Sequence, residues 1–238
     1  MIKTLLNKVL KRFIKKKLIP KKIFTFYIDN SISVDEFISK FNSQILNDSK
    51  LYSANLKKEF NNQFDVSIRK KNISIELLYF IMRHFRPSLI LETGVAYGFS
   101  SRVVLDNMPN TKNFKLFSSD FPNILNYHLM KNTGVMVKNH QKKNWIFLNK
   151  GDLSNLEVFK KKLKSKKIEL FIYDSDKSYE GKTYAFETLK NHINKKTIII
   201  LDDIQDDSFF YDYVNSRKDL KKYIIKNENK YTGIILNH

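Results

Sequence analysis

The chain contains no cysteine, which excludes disulfides, thiolate nucleophiles and cysteine-ligated zinc or iron–sulfur centres. Arginine is nearly missing too: only 6 of the 43 basic side chains are arginine. That bears on the formal charge of +19, which by itself invites a nucleic-acid partner. Proteins that read phosphates or guanines favour the bidentate fork of arginine. A composition rich in lysine, asparagine and isoleucine is what codon bias in an AT-rich genome produces, so nucleic acid is disfavoured as the main substrate. No stretch approaches the roughly 18 uninterrupted apolar residues of a membrane-spanning helix. There is no internal repeat, no Gly-x-Gly-x-x-Gly run, no Gly-Lys-Ser/Thr phosphate loop and no histidine pair at i, i+4. What is present can form a core: 42% apolar and 13% aromatic residues over 238 positions, enough for one domain with an appendage.

No acid precedes Asp29, and Ile2, Leu5, Leu6, Val9, Leu10, Phe13 and Ile14 recur at helical spacing with lysines on the other face. Residues 1–22 therefore read as a basic amphipathic helix closed by Pro20. Such a helix lies on an anionic membrane surface or packs on its own domain or a second subunit of a homo-oligomer. Lysines interrupt its apolar run, so it fails as a secretory signal. The expectation is a cytoplasmic chain, peripheral to the inner face of the membrane. Residues 23–75 read as a helical region without a chemical motif, with Phe37, Phe41, Ile45 and Leu51 covering one side of a domain.

From Glu76 the pattern sharpens into a domain spanning 76–238. Glu76–Phe85 is an apolar helix that stops at Arg86-Pro87, because the residue before proline leaves the helical region. Strand-like runs follow at Leu89–Leu91, Phe114–Phe117, Trp145–Leu148, Ile168–Tyr173 and Thr197–Leu201. Each is short, apolar and rich in β-branched or aromatic residues, as strands buried on both faces are. One spacer carries its own start signal, Ser154 with Glu157 as a capping box and Leu153 with Val158 as a hydrophobic staple. Tyr223–Ile225 and Gly233–Leu236 suggest a closing antiparallel hairpin. The expected fold is α/β: a doubly wound, Rossmann-like sheet, mostly parallel, with a helical N-terminal extension. Ligands of such sheets bind beyond the carboxyl ends of the strands.

The first strand runs into Glu92-Thr93-Gly94-Val95-Ala96-Tyr97-Gly98-Phe99-Ser100-Ser101, where glycines allow a tight turn and close approach to a ligand. Taken alone, this is equally a βα turn with no ligand. Two further features stand at successive strand ends. Ser118-Ser119-Asp120 places a carboxylate suited to a ribose diol, and Lys150-Gly151-Asp152 adds a glycine–acid pair. Any single acid here also reads as a helix cap.

These motifs, with Gly134, Trp145, Phe171–Asp176, Ser178-Tyr179-Glu180 and Leu201-Asp202-Asp203-Ile204, arrive in an order that resembles one family. They look like bacterial class I S-adenosylmethionine (SAM)-dependent methyltransferases, methyltransferase-24-like, of the O-methyltransferase type found in surface-glycan and secondary-metabolite clusters. The resemblance covers Glu76 to about Val214 and leaves the substrate open. It implies that Glu92, Gly94, Ala96, Tyr97, Gly98 and Ser100 hold the methionine part of SAM. It also implies that Asp120 takes the ribose hydroxyls and that Gly151 and Asp152 face the adenine.

Asp174 and Asp176 end one strand and Asp202 and Asp203 the next, so up to four carboxylates meet if the strands are neighbours. Such a group needs a cation, a cationic side chain or raised pKa values, and hard oxygens favour Mg²⁺ or Ca²⁺. The resemblance implies Mg²⁺ on Asp174, Asp202 and Asp203, where it would lower the pKa of an acceptor hydroxyl, with Asp174 also on the cofactor side. Lys177 stands where the family usually has histidine. It reads either as the catalytic base or as an ion-pair partner of Asp176. Asn194-Lys195-Lys196 replaces the usual glycine pair before the fifth strand. Of the histidines, His84 reads as structural, while His128 beside Tyr127 falls where an acceptor would pass. Trp145 reads as core. The expected activity is O-methylation of a small-molecule or glycan hydroxyl. The alternatives are a nucleic-acid methyltransferase, which lacks its usual Asn/Asp-Pro-Pro-aromatic motif here, a non-catalytic SAM-fold protein and a hydroxylase on the same scaffold.

Overall fold

A computed structural model of the chain describes residues 19–63, 73–122, 126–228 and 230–237. Most of the expected amphipathic helix at 1–22 lies outside them. Pro20 caps the N-terminus of the next helix, α1 (Lys21–Asp29), the position where a missing N–H costs nothing. A short strand β1 (Ser31–Ser33) follows, then α2 (Val34–Asn42) and α3 (Gln44–Gln63). α2 starts on a full capping box: the Ser33 hydroxyl accepts from Glu36 N (3.1 Å) and Ser33 N donates back to the Glu36 carboxylate (2.7 Å). β1 was not expected, because three residues carry no detectable period.

The remaining elements are α4 (Ile75–Phe85), β2 (Leu89–Thr93), α5 (Phe99–Asp106), β3 (Lys115–Ser119), α6 (Tyr127–Asn132) and β4 (Trp145–Leu148). After them come α7 (Asp152–Leu163), β5 (Leu170–Tyr173), α8 (Tyr179–Leu189), β6 (Ile198–Leu201), α9 (Phe209–Asn215), β7 (Lys222–Asn227) and β8 (Lys230–Ile235). α4 stops as expected, with Arg86 in the left-handed region at φ 52°. The capping box expected at Ser154–Glu157 is not used. α7 begins three residues earlier, with Gly151 as its N-cap, and the two staple residues Leu153 and Val158 are exposed.

Eight strands form one sheet in the order β1-β7-β8-β6-β5-β2-β3-β4. All pairings are parallel except β6 with β8 and β7 with β8, which gives the mostly parallel sheet and antiparallel C-terminal hairpin that the sequence suggested. From β2 the chain winds outward to β3 and β4, then returns to β5 and β6 on the other side. The switch point therefore lies between β2 and β5, where doubly wound sheets bind ligands.

The strand residues divide by the two-residue period of a sheet. Ile90, Leu116, Ile172, Ile198 and Ile200 join Phe37, Phe60, Phe80 and Val103 in one core; Leu91, Phe117, Phe171, Ile199 and Leu201 join Tyr27, Phe159, Phe186 and Phe210 in the other. β1 pairs with β7, Phe37 sits in the first core and Tyr27 in the second, so the described residues before 75 pack into the same two cores as the sheet. Leu51, expected to help cover the domain, points to solvent at 64% exposure. No helix among the described residues is long and apolar enough to cross a membrane.

Candidate cofactor and acceptor site

The glycine-rich segment leaves β2 at the switch point. Gly94 has φ 84° and Gly98 φ 87°, and Ala96 is also left-handed at φ 46°. The turn is fastened on three sides. Asp120, just past β3, accepts from Ala96 N with Oδ2 (2.8 Å) and from Phe121 N with Oδ1 (2.7 Å). Ala96 O accepts from Gly134 N (2.8 Å), and Tyr97 O from Met136 N (3.0 Å). Gly98 packs against the Gly134 backbone so closely that a Cβ would stand 2.9 Å from its Cα. Ile73, Gly94, Val95, Ala96, Ser100 and Asp174 enclose a small cavity of about 30 Å³ beneath the turn.

Behind the turn, Glu92 is fully buried and its Oε2 accepts from the hydroxyls of Ser101 (2.5 Å) and Ser118 (2.7 Å). Ser118 in turn accepts from Trp145 Nε1 (2.8 Å). Trp145 is thus half-buried and anchors the Glu92 network, a role beyond the core filling expected of it. Asp152 lies between the hydroxyls of Ser119 (2.6 Å) and Ser175. Gly151 N donates to Asp120 O (3.0 Å), which ties the third strand end to the second. Phe121, next to Asp120, keeps 47% of its surface exposed beside Gly151; no motif in the sequence singles it out.

On the β5–β6 side, Asp174, Asp202 and Asp203 converge, with one oxygen from each within 4.8 Å of the others. Asp176 does not join them. Its carboxylate turns to Ser178 N at the start of α8 (3.0 Å) and packs on Gly181, so of the up to four carboxylates expected, three meet. Lys177 does not pair with Asp176 either. Its ammonium donates to Asp174 and lies 3.1 Å from Asp203 Oδ2 and 3.8 Å from Asp202 Oδ2. A second cation that sequence reading missed, Lys230, is 2.8 Å from both Asp202 Oδ2 and Asp203 Oδ1. The other Asp202 oxygen accepts from Thr232 Oγ1 (2.9 Å). Tyr97 OH meets His128 Nδ1 at 3.1 Å on the exposed rim, whereas His84 stacks on Phe80. The loop without its glycine pair closes on its own side chains, Asn194 N donating to Thr197 Oγ1 (3.0 Å) and Lys196 N to Asn194 Oδ1 (2.8 Å).

Residues 91–204 match the family model described as a methyltransferase domain. Over this stretch the chain is similar to methyltransferase domains. Solved structures with the same fold include the O-methyltransferase TomG of Streptomyces achromogenes, involved in tomaymycin synthesis and solved with SAM. It shares 12% identity at a TM-score of 0.59, covering 84% of this chain and 98% of its own. The O-methyltransferase of Bacillus cereus, solved with the demethylated product, shares 12% identity at a TM-score of 0.54, covering 85% and 96%. The Podospora anserina methyltransferase PaMTH1, also with bound product, shares 12% identity at 0.54, covering 90% and 93%. No curated protein sequence matches the chain.

The site holds two electrostatic regions. Around the glycine-rich turn, burial raises the pKa of Glu92, Asp120 and Asp152, partly opposed by the hydroxyl and backbone donors that each accepts. In the cluster beyond β5, burial and then the Asp202 charge lift Asp174, against the pull of Lys177. Burial alone would lower Lys177 and Lys230, but the surrounding carboxylates reverse this and hold both above the usual lysine range. That direction is opposite to the one a neutral lysine base requires. Asp203 ends below its usual range, because Lys177 and Lys230 outweigh the cost of its burial.

The three carboxylates have the donor chemistry of a Mg²⁺ site. As arranged they do not fit one, because two ammonium groups already take the oxygens that would face the ion.

Proposed function

We propose that this methyltransferase moves the methyl group of SAM to a hydroxyl of a small molecule or glycan. One observation carries the reading: Gly94 brings the turn into backbone contact with Asp174, so the cofactor cradle and a charged cluster suited to a hydroxyl share a wall. The shared fold with the O-methyltransferases TomG and that of Bacillus cereus supports it.

SAM supplies a methyl group already activated by a sulfonium. Each Asp120 oxygen accepts one backbone N–H and keeps a lone pair, so together they suit two ribose hydroxyls. The exposed face of Phe121 suits stacking on the adenine, with Gly151 and Asp152 alongside. Gly94, Ala96, Tyr97, Gly98 and Ser100 line the methionine end, and Glu92 holds that turn from behind. On the acceptor side, Asp174 with its raised pKa takes the hydroxyl proton, and the Lys177 ammonium steadies the oxygen as it gains charge. Mg²⁺, expected on Asp174, Asp202 and Asp203, is given no step.

The test is transfer of labelled methyl from SAM to a panel of hydroxyl acceptors, alongside calorimetric SAM binding. Asp174→Asn should keep SAM affinity and lose on the order of 10²-fold or more in turnover. Asp120→Ala should lose SAM affinity itself. A folded chain that binds neither SAM nor its demethylated product would sink the proposal.

A further inference from the structure

We infer that Lys230, together with Lys177, takes the place of a divalent cation in this site, so that the methyltransferase works without one. The inference rests on the methyltransferase reading of the site, but it concerns what neutralises the acids and not what the enzyme methylates.

The antiparallel hairpin delivers the second cation. β8 pairs with β6 through Leu201↔Gly233, so the residues of β8 before Gly233 run past the carboxyl end of β6 and alongside Asp202. Lys230 and Thr232 are two apart and face the same side of the strand. Both grip Asp202, one oxygen each at 2.8 and 2.9 Å. Tyr231, between them, is locked in register by its N–H to Gln205 Oε1 (2.9 Å). Asp203 adopts a left-handed backbone at φ 52°, a conformation uncommon for residues other than glycine, asparagine and aspartate. That conformation accompanies its contact with both ammonium groups, Oδ1 to Lys230 at 2.8 Å and Oδ2 to Lys177 at 3.1 Å.

Three carboxylates and two ammoniums leave one net negative charge. Asp202 is 1% exposed, and the lysines are 18% and 21% exposed, so solvent does little to screen the group. Mg²⁺ binds oxygen at about 2.0–2.1 Å and demands near-octahedral room. Reaching these oxygens would bring it against both ammoniums and reverse the sign of the cluster. Lys230 touches no reacting atom in this scheme. It is a positioning residue that holds Asp202 and Asp203 where Lys177 can bridge to Asp174.

The test is titration of full-length protein with Mn²⁺, followed by the EPR signal of free ion, for wild type, Asp202→Asn, Lys230→Met and Lys230→Met/Asp202→Asn. Wild type should show no site up to millimolar ion. Lys230→Met should gain at least 10-fold in affinity, and the added Asp202→Asn should remove that gain. Wild-type thermal stability and methyl transfer should be indifferent to EDTA. Micromolar Mn²⁺ binding by wild type, lost in Asp202→Asn, would overturn the inference even if Lys230→Met fails to fold. A well-folded Lys230→Met with no new site would overturn it too. SAM binding is measured separately, so a failure here is distinct from failure of the methyltransferase reading.

Discussion

A Cβ built on Gly94 would stand 2.1 Å from the carbonyl oxygen of Asp174; the turn after β2 and the end of β5 therefore meet through backbone alone. The glycine is required by its protein neighbour as well as by its φ of 84°. Gly94→Ala should cost more than about 3 kcal/mol, combining left-handed strain with a backbone clash. In a chain of this size that is a fall of roughly 6–12 °C in Tm. Any folded fraction should bind SAM poorly. A variant with wild-type melting and SAM affinity would contradict the contact.

Buried carboxylates around the turn couple cofactor binding to protons. Glu92, Asp120 and Asp152 have native pKa values above the ordinary 4.5 and 3.8. The native chain thus binds protons that the unfolded chain has released. Their contribution to stability is full below the ordinary values and declines as pH rises through the raised ones. Cationic SAM favours the ionised forms, so binding at a pH where these groups are partly protonated should release protons. Calorimetry in buffers of different ionisation enthalpy reads this directly; proton uptake would refute it.

Lys182, fully buried in α8, meets Asp207 at 2.6 Å, and Asp207 also accepts from Phe209 N at the start of α9 (2.7 Å). Removing one partner strands the other. Lys182→Met should destabilise by about 3–5 kcal/mol, and adding Asp207→Asn should recover a substantial part. Additive losses in denaturant melts would show that the pair is not coupled.

Arg102 joins three segments: its guanidinium reaches Glu59 in α3 (3.0 Å), Asp106 one turn along α5 (2.7 Å) and Met136 O (3.0 Å). A lysine ammonium cannot span that planar fork. Arg102→Lys should cost about 2 kcal/mol despite the retained charge, and weaken SAM binding, because Met136 N also holds Tyr97 O. Unchanged stability would mean that the fork contributes little.

Local signals made much of the molecule legible. Short, nearly continuous apolar runs marked all seven strands after residue 75, Pro87 ended α4, and the glycines and acids after β2, β3 and β4 marked turns that meet at the switch point. These features depend on neighbours within a few residues, and a sequence displays such neighbours. The start of α7 was misread because Gly151 and Ser154 both carry cap chemistry. The choice between them is made by Gly151 N bonding to Asp120 O, which is a contact from another strand.

The acid cluster shows the limit more sharply. That Asp174, Asp202 and Asp203 would meet followed from strand order, since β5 and β6 are neighbours in a doubly wound sheet. Which carboxylates remained in the group, and what neutralised them, did not. Asp176 was drawn away by the N-terminus of α8, and Lys230 arrived from 28 positions beyond Asp202 because β8 runs antiparallel along β6. The sequence by itself determined the elements, their order and the residues on the rim. Only the tertiary structure decided which charges share a space, because electrostatic pairing depends on distances of a few ångströms that long-range strand register sets.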